Sequence, residues 1–265
     1  MAQRRAAPMA WIWLALCLLY LFFPLFATLQ FSFQAQRGVP ISFLAYMNVL
    51  QAPAFVSSFL FSFRTAVTTI VISTLLVVPT AYWVTLRLPF LRPVIEFFTL
   101  LPFVIPAVVL VFALLRSYNG TSLTDSSEGV YIIMVGAYVM LSFPYMYRAI
   151  DTGLQSINVR ALTEAAQSLG AGWITVLWRV VFPNVYLAVL NGAFITFAIV
   201  MGEFTIAQLL SQPTFGPYMN EIANRKVYEP SALAILSFTL TWICILIIQW
   251  LGRGRGNQFR PAGLR

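Results

Sequence analysis

The sequence predicts an all-α integral membrane protein of about six transmembrane helices, with one short helix on the cytoplasmic face between the fourth and the fifth. Three observations predict it. Of the 265 residues, 60% are hydrophobic and only 9% are charged, against roughly a quarter charged in a soluble domain. The mean hydropathy is +0.83, so lipid rather than water must solvate most of the surface. The apolar residues also gather into runs near the ~20 residues needed to cross a hydrocarbon core. A chain of 265 residues holds five to seven crossings, which reads as a single transmembrane domain, 1–265, with no room for a soluble enzyme domain.

The first run spans Met9 to Phe33 behind Arg4 and Arg5. It is long for a signal-peptide core and no small-x-small site follows, so an uncleaved first helix is expected. A polar loop covers Gln34 to Ser57, and the second helix Ser58 to Leu86, with Arg64 snorkelling near its start. After the basic turn Arg87 to Pro93, the third helix runs Val94 to Leu115. It contains Pro102 and Pro106, which should bend it or interrupt its hydrogen-bond ladder. A polar loop from Ser117 to Glu128 carries the turn signal Asn119-Gly120. The fourth helix is expected over Gly129 to Tyr147, the fifth over Pro183 to Leu210, and the sixth over Ser231 to Leu251. Between the fourth and fifth lies an amphipathic stretch, 148–182.

The net charge of +8 comes from arginines spread between the apolar runs, which suits loop topology rather than nucleic acid. With the N-terminus in the cytoplasm, eleven basic residues fall inside (Arg4, Arg5, Arg87, Arg92, Arg148, Arg160, Arg179, Arg253, Arg255, Arg260, Arg265). Five fall outside (Arg37, Arg64, Arg116, Arg225, Lys226). Both termini are therefore expected in the cytoplasm of a multi-pass protein. The chain has no histidine, and its two cysteines, Cys17 and Cys244, sit in apolar runs. A zinc site and a Ser-His-Asp triad are excluded on that composition, and no metal or cofactor site is expected.

The informative stretch is the fourth-to-fifth connection. Asn158 to Leu169 holds strong helix formers, Gly170 can end that helix as a C-cap, and Pro183 can open the next helix in its first turn. Glu164 offers one carboxylate, and Ala165 and Ala166 leave a flat, close-packing surface. The order is Glu164-Ala165-Ala166, three residues, Gly170, nine residues, Val180, one residue, Phe182-Pro183. This pattern resembles the EAA signature of the binding-protein-dependent ABC importer permeases, the MetI-like inner-membrane components. Val180 and Phe182 replace the usual Ile and Leu.

The resemblance implies that 148–182 is a coupling loop whose helix docks in a groove of a cytoplasmic ATPase. Glu164 then pairs with a basic group there, Ala165 and Ala166 fill the groove, and Gly170 permits the turn. It further implies a second permease, identical or related, an extracytoplasmic solute-binding protein, alternating access, and a bacterial-type inner membrane. ATP and Mg would be used by the partner ATPase, because this chain has no G-x-x-x-x-G-K-[ST] loop. Leu100 to Pro106 and Gly202-Glu203-Phe204 resemble permeases of the spermidine/putrescine type, which makes a polyamine the favoured solute. Iron(III), thiamine, phosphonate and sulfate permeases are close neighbours.

Glu203, late in an apolar run, is a functional candidate by default. It either lines the translocation path, where it would meet a cationic substrate, or serves as a structural carboxylate near the outer interface or at the contact with a partner permease. Pro102 and Pro106 either shape a gate or only curve a helix. Trp11, Trp13, Trp242 and Trp250, with Tyr145 and Tyr147, fit an aromatic belt at the span ends. Three rivals remain: an ion-coupled secondary transporter, a membrane enzyme and an assembly subunit. The first would carry inverted repeats and more intramembrane carboxylates, the second clustered catalytic residues. An assembly subunit explains the topology and leaves the spaced motif without a reason.

Overall fold

Pro106 interrupts the third predicted span as its chemistry requires. In the computed structural model, which describes residues 6–34 and 41–256, the span is two helices, α4 (Arg92–Val104) and α5 (Ala107–Ser117). They are bent by 103° at the break. A proline pushes the residue before it out of the helical region, and Ile105 is extended at φ −88°, ψ 114°. Pro102 stays inside α4, so of the two prolines only Pro106 breaks the chain.

The remaining helices are α1 (Ala6–Ser32), α2 (Leu44–Gln51), α3 (Pro53–Leu86), α6 (Ser122–Asp125), α7 (Ser127–Gln155), α8 (Val159–Ser168), α9 (Trp173–Thr175), α10 (Phe182–Gly202), α11 (Thr205–Leu209), α12 (Phe215–Arg225) and α13 (Glu229–Gly256). A π-helical segment, Val176–Val181, joins α9 to α10 in one continuous rod, Trp173–Gly202. Five helices among the described residues are long and apolar enough to cross a membrane, and the bent α4–α5 pair, taken as one span, makes a sixth. The chain is an all-α integral membrane protein. Arg4, Arg5, Arg37, Arg260 and Arg265, counted in the orientation above, lie outside the described residues.

Several boundaries move, each for a local reason. The second span starts at Pro53 rather than Ser58, because a proline suits the first helical position. The polar loop before it holds α2. Pro217, in the first turn of α12, is the same signal in the loop after α11. The fourth span continues past Tyr147 to Gln155, since Tyr147, Ile150 and Leu154 repeat at three- and four-residue spacing and are buried on one face. Tyr147 is therefore a core residue, not a belt aromatic. The fifth span begins at Trp173, ten residues before Pro183. The proline sits in the first turn of α10, as expected, but that helix continues a rod in which the π-helical turn joins it to α9. A widened turn relieves the clash between a proline ring and the preceding carbonyls. Asn184 Nδ2 donates to the Val180 carbonyl across the same turn at 2.7 Å. The rod ends at Gly202, so Glu203 follows the span instead of lying in it.

The chain divides into two compact units. The first comprises Met1–Ser57 and Tyr218–Trp242. Within it Ser32 Oγ and Tyr46 Oη share a hydrogen bond of 2.7 Å. Asn48 Nδ2 donates to Glu229 Oε1 at 3.2 Å, which ties α2 to the start of α13. From Met9 to Phe31 no residue of α1 is buried within this chain, whereas Ser32 is.

The second unit, Ser58–Pro217 with Ile243–Arg265, carries the core. Its broadest helix contact is α7 on α10. Between helices in lipid, close van der Waals packing replaces the hydrophobic driving force, so small residues mark the seam. Gly153 on α7 meets Ala188 on α10, and Gly192 on α10 meets Met146 and Ala149 on α7. One cluster, toward α8, gathers Val77, Ile150, Leu154, Val176 and Val185. The other, toward α11, gathers Val111, Met134, Tyr138, Phe197 and Ile206. Arg64 is exposed and lies over the Tyr131 ring at 5.3 Å, a cation–π contact rather than a free snorkelling charge.

The seam makes a matched pair of substitutions informative. A Cβ at Gly153 would stand 2.4 Å from the Ala188 Cβ, whereas one at Gly136 of the same helix meets nothing within 4 Å. Gly153→Ala is expected to lower stability by about 1–3 kcal/mol through overpacking. Gly136→Ala should be neutral or slightly stabilising. Thermal unfolding of both variants in one detergent reads the difference.

Candidate functional site

The α8 helix is built to stand as a separate, rigid element. Asn158 caps its start, the side-chain Oδ1 accepting from Ala161 N at 3.1 Å. At the other end Gly170 takes φ +83°. Gly170 N donates to Gln167 O at 2.9 Å and Ala171 N to Ala166 O at 3.1 Å. That pair of bonds is a Schellman motif, which satisfies carbonyls the helix leaves open. No atom lies within 4 Å of a Cβ built on Gly170. The backbone conformation therefore demands glycine, not the available space. Gly170→Ala should cost about 1–2 kcal/mol as a left-handed residue with a side chain, and Gly170→Asn less. Thermal unfolding with each variant tests the ranking.

The faces of α8 differ. Val159 and Thr163 are buried and Ala166 packs on the core cluster. Tyr82 Oη and Thr163 Oγ1 are 3.4 Å apart, which links α8 to the end of α3. Arg160, Ala161, Glu164, Ala165 and Ser168 face outward, and Leu169, 89% exposed, projects beyond them. Glu164 makes no ion pair within 4 Å among the described residues. It borders a groove shared with Arg87 and Arg160. Glu164, Ala165 and Gly170 thus present together, while Ala166 braces the helix from behind. Pro183 sits apart, exposed in the re-entering rod. An amphipathic helix with a flat outer strip, one unpaired carboxylate and one projecting leucine is suited to a protein groove.

At the opposite end of the unit, Glu203 occupies a tight corner. Its carboxylate accepts from Ile206 N at 3.0 Å and from Ala207 N at 3.4 Å, which caps the first turn of α11. It also accepts from Tyr138 Oη at 3.0 Å. A Cβ at Gly216 would stand 2.6 Å from the Glu203 carbonyl oxygen, so the following segment lies directly on this corner. The α5 helix, opened by Pro106, packs on α11, and Val111 shares a cluster with Ile206 and Ala207. Pro106 and Glu203 therefore belong to one assembly, whereas Pro102 stays in α4.

Sequence reading missed a second polar cluster. Arg92 donates Nε to Glu96 at 3.0 Å and Nη2 to Asp151 at 2.9 Å, and Gln155 Nε2 donates to Asp151 at 2.6 Å. The i,i+4 spacing of Arg92 and Glu96 was a legible signal. Their meeting with Asp151 was not.

The model of the family described as binding-protein-dependent transport system inner membrane component matches residues 78–253. The molybdenum transport system permease protein of Escherichia coli strain K12 is 32% identical over 170 residues, 58% of this chain and 74% of its own. A sulfate transport system permease protein of Synechocystis is 30% identical over 202 residues, 66% of this chain and 68% of its own. A bacterial alginate ABC transporter, solved in complex with an alginate pentasaccharide-bound periplasmic protein, superposes with a TM-score of 0.74. That superposition covers 94% of this chain and 93% of the other at 13% identity, a likeness of fold. Those relatives are named for molybdenum and sulfate, so the spermidine/putrescine likeness, which rested on two short segments, does not carry the substrate.

Proposed function

Because this chain belongs to the family of binding-protein-dependent transport system inner membrane components, a permease family of ABC importers, we propose that it moves a tetrahedral oxyanion, molybdate or sulfate, into the cytoplasm. The observation that supports this solute is the shared class of the relatives: at neutral pH, sulfate and the oxidised form of molybdenum are both tetrahedral dianions. Polyamine is set aside, because its charge is opposite.

The chain works as a transport subunit without an ATPase site of its own. ATP, with Mg, is hydrolysed by a separate ATPase dimer that engages α8. A second permease completes the path, and an extracytoplasmic binding protein delivers the solute. The excess of arginine on the α8 side supports an inner-membrane orientation with both termini cytoplasmic. Glu203 suits an anion transporter because its carboxylate is occupied by three donors of its own chain rather than offered to a dianion. The bend at Pro106 serves to shape the gate, with Pro102 inside the α4 arm that leads to it.

The test is reconstitution with the partner ATPase and binding protein in liposomes. ATP hydrolysis should rise severalfold with binding protein carrying molybdate or sulfate, and stay basal with spermidine. Stimulation by spermidine alone overturns the oxyanion reading.

A further inference from the structure

Of the thirteen residues of α4, only Thr99 is buried. Few buried contacts resist movement of such a helix, so packing alone fixes it weakly. A backbone break bounds it at each end: the 3-10 turn Pro89–Leu91 before it, and extended Ile105 after it. Beside it a recess of about 620 Å³ opens against α7, lined in part by Glu96, Thr99 and Asp151. The helix is a short arm with space along one flank, and it leads to the bend at Pro106.

What fixes the start of this arm is polar. Arg92, its first residue, donates Nε to Glu96 at 3.0 Å and Nη2 to Asp151 at 2.9 Å. Glu96 belongs to α4 itself, so that bond orients the guanidinium. Asp151 belongs to α7, so the second bond crosses between helices. Fully exposed ion pairs contribute little. The Asp151 side chain is only 16% exposed, and it takes a further bond of 2.6 Å from Gln155 Nε2. A planar guanidinium serves two acceptors at fixed angles, which an ammonium does not. Asp151 and Gln155 lie at the end of α7, which stops three residues before α8 begins. The crossing bond therefore joins the arm to the stem of α8.

Resting on the transport reading above, we infer that Arg92 and Asp151 are positioning residues for transport, whose ion pair docks α4 on the α8-side end of α7 and so carries movement of α8 to the bend at Pro106. Neither residue needs to touch the solute. Breaking the pair leaves the outer face of α8 as it is. The ATPase then still binds and hydrolyses ATP, while the gate no longer follows.

The experiment uses the complete transporter, with ATPase and binding protein, in liposomes, and reads molybdate or sulfate uptake and ATP hydrolysis together. Arg92→Gln should lower the oxyanion taken up per ATP about tenfold, the loss of one charge-assisted hydrogen bond. Hydrolysis itself should stay within about twofold of the parent, since sites without shared partners act nearly independently. Arg92→Lys should lose less, and Glu96→Gln, which leaves the crossing bond in place, less again. Exchanging the charges, Arg92→Asp with Asp151→Arg, should recover most of the ratio that either reversal alone removes. An unchanged ratio in Arg92→Gln overturns the inference and leaves the functional reading standing. Uptake, hydrolysis and melting temperature that fall together, with no recovery in the exchanged pair, show a purely structural role and overturn it too. If the unsubstituted transporter drives no ATP-dependent uptake, the functional reading falls, and this role falls with it.

Discussion

Glu164→Lys is expected to weaken ATPase capture by about 100-fold while the membrane bundle stays folded. The carboxylate lies on the outer strip of α8, exposed and without an ion pair among the described residues. No side chain among the described residues bonds to it. If it meets a basic group in the ATPase groove, reversal places like charges together, a cost of several kcal/mol, and 2.8 kcal/mol is already two decades in affinity. Co-purification in detergent with the ATPase measures the loss, and thermal unfolding of the permease alone checks the fold.

The two alanines beside it sharpen the test, because the structure gives them different surroundings. Ala165 is exposed, so Ala165→Leu should impair docking and leave permease stability unchanged. Ala166 packs on the core cluster, so Ala166→Leu should lower stability first, by about 1–3 kcal/mol of overpacking. Equal ATPase binding by the parent and Glu164→Lys would remove the docking role of this face.

What could be read from the sequence was local, and what could not was long-range. The cap at Asn158 and the turn at Gly170 depend on residues within five positions, and the break at Ile105 depends on the next residue alone. These features were legible. Pro183 does open the first turn of α10, yet the span starts at Trp173, because a π-helical turn, which leaves no simple sequence mark, joins α10 to the residues before it. The end of α7 was misplaced because Arg148 and Asp151 look like a loop, while the buried face of Tyr147, Ile150 and Leu154 continues beneath them. Arg92 and Asp151 are 59 residues apart, and Glu203 and Tyr138 are 65 apart. No window of sequence shows such pairs. Glu203 stood out as an anomaly, yet only the fold supplied its partners.

Those partners set the last expected result. Glu203→Ala should destabilise the chain by on the order of 3 kcal/mol or more, and lower its melting temperature in detergent, before any question of transport arises. Three donors lose their acceptor: the hydroxyl of Tyr138 and the amides of Ile206 and Ala207, all three residues buried. Each buried group left unsatisfied costs about 1–3 kcal/mol. The loss should fall on the corner where α10 gives way to α11, and so on the α5 helix packed against it. Glu203→Gln keeps one carbonyl oxygen as acceptor and should lose less than half as much. The same pair separates two roles for the carboxylate. A corner cap predicts that stability and uptake decline together, Ala more than Gln, with the KM for the oxyanion unchanged in Gln. A contact on the solute path predicts the reverse: near-parental melting in both variants and a shifted KM in Gln, where the negative charge has gone. A carboxylate with donors already on both oxygens has little left to offer a dianion, and the first outcome is the expected one.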